Sequence, residues 1–199
     1  MRKINLFLKR SIDLLGSTIG LILLAIPFLI IAIKIKRDSP GPVFFKQERL
    51  GKNGVPFFII KFRTMVVNAE HIGTGLRVKN DTDDRITKIG HFLRKTSLDE
   101  LPQLINVWKG DMSLVGPRPP VTYHPYKGYE GYPENSKKRF EMRPGMTGLA
   151  QVEVRNSVGW DERMVYDVRY VEQFNIALDI RILLKTVKRV LKSDSIYAS

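Results

Sequence analysis

Two carboxylates stand side by side in Thr96-Ser97-Leu98-Asp99-Glu100-Leu101-Pro102-Gln103, and Arg118 follows, held between prolines, in Gly116-Pro117-Arg118-Pro119-Pro120. Adjacent acids near a helix start, with an arginine on a stiffened backbone, suit metal-assisted chemistry on a phosphate. Successive helical side chains point about 100° apart, so the two acids can divide the work. One can attack phosphorus, while the other holds a hard cation such as Mg²⁺ whose remaining positions go to water and phosphate oxygens. The competing reading is a capping box, with Ser97 as N-cap and Glu100 at N3. Pro102 favours a frame in which Asp99 is itself the N-cap, because the N3 position has no intrahelical hydrogen bond to lose. Either frame puts both acids at a helix N-terminus, where the partial positive charge favours ionised carboxylates. On these residues alone, cap and catalytic pair are equally good readings.

The basic residues nearby tip that balance. A guanidinium forks onto two phosphate oxygens in a way that lysine cannot, and Pro117 and Pro119 restrict the backbone that presents Arg118. Arg143-Pro144-Gly145-Met146-Thr147-Gly148 is a second loop of this kind. Lys61 and Arg63 fall on one face of a regular strand. Taken singly, each is a solvated surface charge. Together Lys61, Arg63, Arg118 and Arg143 are candidates to line a phosphate pocket around Asp99 and Glu100, the two candidate metal ligands. Neither G-x-x-x-x-G-K-[ST] nor G-x-G-x-x-G occurs, so any phosphate cradle is neither a P-loop nor a Rossmann loop. Asp81-Thr82-Asp83 fits the short D-x-D pattern of metal-dependent glycosyltransferases, a weak signal in a polar loop.

Composition narrows the partners. The 199 residues carry 33 Lys and Arg against 20 Asp and Glu, a net charge of +13. Such an excess suits an anionic partner: nucleic acid, anionic lipid or a phosphorylated substrate. With no cysteine, disulfides, thiol nucleophiles and Cys-ligated zinc are excluded. His71, His91 and His124 are scattered, without metal-ligand spacing.

The elements that must position this site begin at a membrane. Residues 14–33 carry no charge, and about 20 residues at 1.5 Å each just span a hydrocarbon core. Arg2, Lys3, Lys9 and Arg10 precede this stretch, while Lys34, Lys36 and Arg37 follow it. The positive-inside rule therefore draws both ends to the cytoplasmic side. Pro27 cannot donate to the Leu23 carbonyl, so a break or bend is expected there. The reading is a re-entrant helix-break-helix over residues 1–37, followed by a cytoplasmic catalytic domain over 38–199. An ordinary kinked span is the alternative.

Beyond the breaker cluster Asp38-Ser39-Pro40-Gly41-Pro42, strands are expected over 43–48 and 55–65. They flank Gly51-Lys52-Asn53-Gly54, whose Asn-Gly signals a type I′ hairpin. Residues 68–84 read as a loop, 86–94 and 101–108 as helices, and 123–132 as irregular. Ile180, Leu183, Leu184, Val187 and Leu191 recur at helical spacing among basic residues. That amphipathic pattern suits either a core or an anionic membrane surface. The fold class is thus α+β: a monotopic anchor, a β-hairpin and several amphipathic helices.

In order along the chain, several segments resemble the bacterial sugar transferase family, the small monotopic phosphoglycosyl transferases. They are Lys9-Arg10 with Asp13, the proline within the apolar helix, KFRTM at 61–65 and RITKIG at 85–90. SLDELPQL at 97–104, KGDMSLVGPRPP at 109–120, RPGMTGLAQV at 143–152, and the stretch from Trp160 through Tyr170 to Asp179 complete the series. The length is that of single-domain members, which implies no further transmembrane helices ahead of the catalytic part. The resemblance implies that a UDP-sugar donates phosphosugar to a polyprenol phosphate, releasing UMP and leaving a polyprenyl-diphosphate-sugar. It implies Asp99 as nucleophile of a covalent aspartyl intermediate, and Glu100 as a ligand of Mg²⁺. Lys61, Arg63, Arg118 and Arg143 would bind phosphate oxygens. The implied setting is the cytoplasmic face of a bacterial inner membrane, with lipid as partner and no nucleic acid. Family members often place serine before the membrane proline, where this chain has Ile26, which leaves the sharpness of the bend open. Two rivals remain: a metal-dependent glycosyltransferase using Asp81 and Asp83, and a membrane-tethered basic binding module. The sugar, the downstream pathway and the oligomeric state, a homodimer included, stay open.

Overall fold

Residues Arg2–Asp38 form one α-helix, α1, in the computed structural model, which describes residues 2–69, 83–154 and 157–191. The expected interruption at Pro27 is not a gap between two helices, because the helix runs through the proline. A proline removes one intrahelical bond, and the apolar residues on either side remain helical. Along one face of α1, Asp13, Ser17, Ile31 and Ile35 are buried, at the spacing of a single helical stripe. The other face leaves Ile19, Ile22, Leu23, Ile26 and Leu29 exposed. It is the one helix among the described residues long and apolar enough to cross a membrane.

Polar contacts fasten both ends of α1 to the rest of the chain. Near its start Lys9 Nζ meets Asp179 Oδ2 at 2.6 Å, and Arg10 donates to the carbonyls of Val107 and Trp108 at 2.7 and 3.0 Å. Asp13 Oδ1 accepts from Ser113 Oγ and the Leu114 amide, each at 2.9 Å. At its end Asp38 Oδ2 accepts from the Ile89 amide at 2.9 Å. Between these points Phe28, Ile31 and Ile35 pack with Phe62 and Leu93.

Strands β1 (Phe44–Leu50) and β2 (Pro56–Phe62) form the antiparallel hairpin, in register from Phe44↔Phe62 to Leu50↔Pro56. Asn53 and Gly54 both take positive φ, and the Val55 amide donates to Lys52 O at 3.2 Å, the geometry for which Asn-Gly is suited. The second strand ends earlier than expected; Met65 bridges to Ile86 instead. Helix α2 (Lys88–Lys95) is N-capped by Thr87, and α3 (Gln103–Lys109) ends on left-handed Gly110. β3 (Ser113–Val115) and β4 (Gly145–Thr147) pair in parallel. A Cβ on Gly145 would lie 2.0 Å from the Gly116 nitrogen, so glycine is what lets these backbones meet.

Helices α4 (Glu134–Lys137), α5 (Leu149–Glu153), α6 (Trp160–Gln173) and α7 (Ile176–Leu191) complete the α+β body. Val115, Met142, Leu149, Val152, Tyr170, Val171 and Ile182 form one core cluster. The stretch 123–132 holds neither helix nor strand, and Tyr126, Tyr129 and Tyr132 pack in a cluster with Leu50 and Phe140. In helix α7, Leu183 of the expected pattern packs against the core beside Ile182, which lies outside that pattern, while Ile180, Leu184 and Val187 are exposed.

Lys9 and Asp179 are 6% and 7% exposed, so removing either charge strands the other. Lys9→Met is expected to lower the unfolding free energy by about 3–5 kcal/mol, read from denaturant melts in detergent. Adding Asp179→Leu should recover most of that loss; a melt unchanged by Lys9→Met would refute the clamp.

Candidate functional site: a split carboxylate pair in a cationic cavity

Asp99 and Glu100 sit on a single 3-10 turn, Leu98–Glu100, that leads through Leu101 and Pro102 into α3. Ser97 enters the turn in the left-handed region, φ 57°, and its side chain makes no capping bond. That conformation costs a non-glycine residue roughly 1–2 kcal/mol. The capping box is not formed, because Glu100 Oε1 accepts from Lys61 Nζ at 2.6 Å on neighbouring β2. With three residues per turn, successive side chains diverge by about 120°, and the two carboxylates meet different surroundings.

Their electrostatics diverge accordingly. Burial pushes the Asp99 carboxyl up to about 6, the charge of Glu100 adds to this, and Lys61 and Arg94 oppose it. Burial would raise Glu100 too, but Lys61, Arg118 and Arg49 outweigh it and hold this carboxyl down at about 2. Glu100 is therefore ionised at any physiological pH, while Asp99 titrates just below neutrality. Burial, with Arg118 nearby, lowers Arg49 to about 10.

Arg118 is presented by a loop that two other arginines fasten. Arg139 Nη2 donates to the Arg118 carbonyl at 2.7 Å and pairs with Asp167 Oδ2 at 2.5 Å, both side chains being almost fully buried. Burial raises the Asp167 carboxyl against the pull of Arg139. Arg49 donates to Pro119 O at 3.1 Å and to Gln47 Oε1 at 2.6 Å. The prolines restrict φ, and these bonds fix where the restricted segment lies.

Lys61, Asp99, Glu100 and Arg118 line one cavity of about 350 Å³. Its far wall comes from β4, α5, α6 and α7, which bring in Thr147, Trp160, Arg163 and Arg189. The sequence reading missed these, together with Arg94. Trp160, Arg163 and Asp167 follow the i, i+3, i+7 spacing of one helix face, a signal that could have found them. The Arg163 guanidinium lies 5.6 Å from the centre of the Trp160 ring.

The other expected ligands go elsewhere. Arg63 donates to Ser39 O at 2.8 Å and to Pro40 O, closing the chain after α1. Arg143 Nε donates to Gly110 O at 2.7 Å, at the end of α3. Asp83 holds Arg85 through both carboxylate oxygens, at 2.8 and 2.7 Å, and Asp81 lies outside the described residues. Among the described residues no group of three or more acidic, histidine or cysteine side chains could enclose a metal ion.

A carboxylate pair in a cation-lined cavity, joined to an apolar helix, defines a membrane-associated protein of mixed α+β class. Residues 4–193 match the profile described as bacterial sugar transferase, and the chain belongs to that family. It is 45% identical over 197 residues to the galactosyl transferase CpsE of Streptococcus agalactiae, covering 94% of this chain and 43% of that protein. It is 41% identical to the uncharacterized sugar transferase EpsL of Bacillus subtilis, covering 96% and 91%. It is also 41% identical to the UDP-glucose:undecaprenyl-phosphate glucose-1-phosphate transferase of Caulobacter vibrioides, covering 95% and 72%. The chain thus spans less than half the length of relatives such as CpsE. Its apolar helix and family place it at the bacterial inner membrane, facing the cytoplasm.

The ion pair yields a direct expectation. Lys61→Met should raise the Glu100 midpoint by roughly one pH unit or more, followed by the carboxyl carbon shift of Glu100 in an NMR titration. A midpoint that stays near 2 would mean that Lys61 does not hold Glu100 ionised.

Proposed function

We propose that this protein is a phosphoglycosyl transferase, moving a sugar phosphate from a UDP-sugar to polyprenol phosphate and releasing UMP. The observation that carries the reading is the split pair: Asp99 held near 6 and Glu100 near 2 on one turn, facing Lys61 and Arg118. Relatives named as UDP-glucose:undecaprenyl-phosphate glucose-1-phosphate transferases support this choice of donor and acceptor.

In the first step an Asp99 oxygen attacks the sugar-bearing phosphorus. The bond from that phosphorus to the UMP oxygen breaks, and UMP leaves with the electron pair. In the second step a phosphate oxygen of the acceptor attacks the same phosphorus and the Asp99 carboxylate departs. Dividing the transfer lets one nucleophile serve a soluble donor and a lipidic acceptor. Arg118 and Lys61 bind the phosphoryl oxygens; Arg139 keeps the Arg118 backbone in position.

Glu100 and Asp99 fit Mg²⁺, which asks for one or two hard carboxylates and leaves the rest of its shell to water and phosphate. Glu100 stays ionised and already takes a cation, the Lys61 ammonium, at 2.6 Å. When bound, the ion would offset charge on the transferring group. Arg63 and Arg143 are better read as structural, since both guanidinia bind carbonyls away from the pair.

Residues 1–37 act as a re-entrant anchor and residues 38–199 as the cytoplasmic body. From Lys9 to Asp38 the helix runs for about 44 Å at 1.5 Å per residue, longer than the ~30 Å hydrocarbon core. Both of these residues bind the same body, which a helix crossing the bilayer would prevent.

Asp99→Asn is expected to lower UMP release from a UDP-sugar panel, with Mg²⁺ and polyprenol phosphate present, by roughly a thousand-fold or more. Full activity in that variant, or release of UDP in place of UMP, would overturn the assignment. Attack needs the ionised carboxylate, so kcat/KM should fall about tenfold per pH unit below about pH 6. The folded value lies above the ordinary 3.8, so ionising Asp99 opposes folding as pH rises past that value. Asp99→Asn should therefore raise the thermal midpoint at pH 7 while removing activity. Single cysteines placed before and after the anchor test topology: neither should react with an impermeant maleimide applied from the periplasmic side.

A further inference from the structure

A second cavity, of about 460 Å³, adjoins the first and has a different character. Phe44, Phe45, Phe62, Met65, Val66 and Val67 contribute its apolar wall. The two cavities have three lining residues in common: Lys61, Arg94 and Asp99. Glu100 and Arg118 line the first but not the second, and among the described residues none before Lys61 lines the first. The apolar wall rests on the membrane helix itself. Phe62 stacks on Phe44, with ring centres 5.5 Å apart, and meets Phe28 of α1 edge-on at 5.1 Å. Phe44, Phe45, Val66 and Val67 are 36–47% exposed, so apart from the face of Phe44 that stacks on Phe62 this wall leaves much apolar surface open.

We propose that this second cavity seats the isoprenoid chain next to the acceptor phosphate, while the first holds the nucleoside of the donor. The inference rests on the phosphoglycosyl transfer reading and adds to it a separate lipid subsite. The occupant follows from two features together. One wall is apolar and continuous with a bilayer-facing helix. The residues shared with the first cavity bring two cations, Lys61 and Arg94, beside Asp99, with Lys46 and Arg63 adding positive charge to the lining. An amphiphile with an anionic head and a hydrocarbon tail complements that gradient; a nucleotide does not.

In-line displacement fixes how the two substrates share the centre. The acceptor oxygen enters where the UMP oxygen left, so both phosphates use the junction at Lys61 and Arg94 in turn. Only the groups behind them part, uridine toward Trp160 and Arg163, isoprenoid toward Phe45 and Val67. The lipid then reaches phosphorus from the bilayer without crossing the polar cavity.

The test uses the full chain in detergent micelles, with undecaprenyl phosphate as acceptor and a UDP-sugar that supports UMP release. Phe45→Asp and, separately, Val67→Asp are expected to raise the KM for undecaprenyl phosphate at least roughly tenfold. They should leave the KM for the UDP-sugar and the acceptor-free UMP burst unchanged. Trp160→Ala should do the reverse. Shorter polyprenyl phosphates should bind the unaltered protein progressively less well, and both variants should flatten that dependence. Unchanged acceptor KM in both variants, with the burst intact, would overturn the subsite; so would an equal rise in both KM values. A burst absent from the unaltered protein with every UDP-sugar would instead refute the transfer reaction itself.

Discussion

The ion pair between Lys61 and Glu100 is the contact on which the site depends. It joins the hairpin to the 3-10 turn, two elements 39 positions apart in the chain. It also separates the roles of two acids that sequence leaves equivalent. Without a cation at Glu100, burial would raise both carboxyls, and neighbouring like charges would resist ionising together. With Lys61, Arg118 and Arg49 around it, Glu100 carries the permanent charge and Asp99 becomes the group that titrates. In the nucleophilic role proposed for it, Asp99 benefits from that arrangement. Its basicity is kept up by burial, yet it is still ionised at neutral pH.

Holding the pair requires rigidity from a distance. Arg139 and Asp167 form an almost fully buried ion pair whose geometry serves the backbone of Arg118. Replacing such a pair by apolar residues often costs nothing in stability. Its presence here is better explained by the carbonyl it holds than by the energy it contributes. Arg49 does the same for Pro119 from the other side. The Gly116-to-Pro120 loop, stiff by composition, becomes stiff in space because two guanidinia, the buried one of Arg139 and the half-buried one of Arg49, fix its carbonyls.

What the sequence allowed to be read was whatever depended on near neighbours. Asn53-Gly54 announces its turn because positive φ at both positions is a local demand. Asp99, Glu100 and Arg118 are legible because their motifs carry the clue within a few residues. Lys61 and Arg63 illustrate the limit. They alternate on one strand, yet the strand ends at Phe62, and beyond it Arg63 turns to the carbonyls after α1. The destination of a long basic side chain is a tertiary fact. Arg143 shows the same, finding the end of α3 instead of the cavity. Pro27 was legible as a proline but not as a continuous helix, since one missing hydrogen bond does not decide whether its neighbours stay helical. Trp160, Arg163 and Asp167 were readable by spacing alone, but a helix face declares what it faces only when the opposite wall is known.

The anchor and the site are mechanically one object. Asp13 accepts hydrogen bonds from β3, and β3 pairs with β4, which lines the cationic cavity. At the other end Asp38 caps the start of α2, and Arg94, near the end of α2, lies where both cavities meet. Near its start α1 thus reaches the cavity through the paired strands β3 and β4, and at its end through α2 alone. A helix that only tethered the body would need no such double attachment; one clamp and a flexible linker would serve. Two clamps fix the tilt of the body relative to the helix, and the helix is what the bilayer grips. The height of Asp99 relative to the lipid is thereby a property of the fold. For the transfer proposed above, whose acceptor cannot leave the membrane, that height decides whether Asp99 and a lipid phosphate can meet.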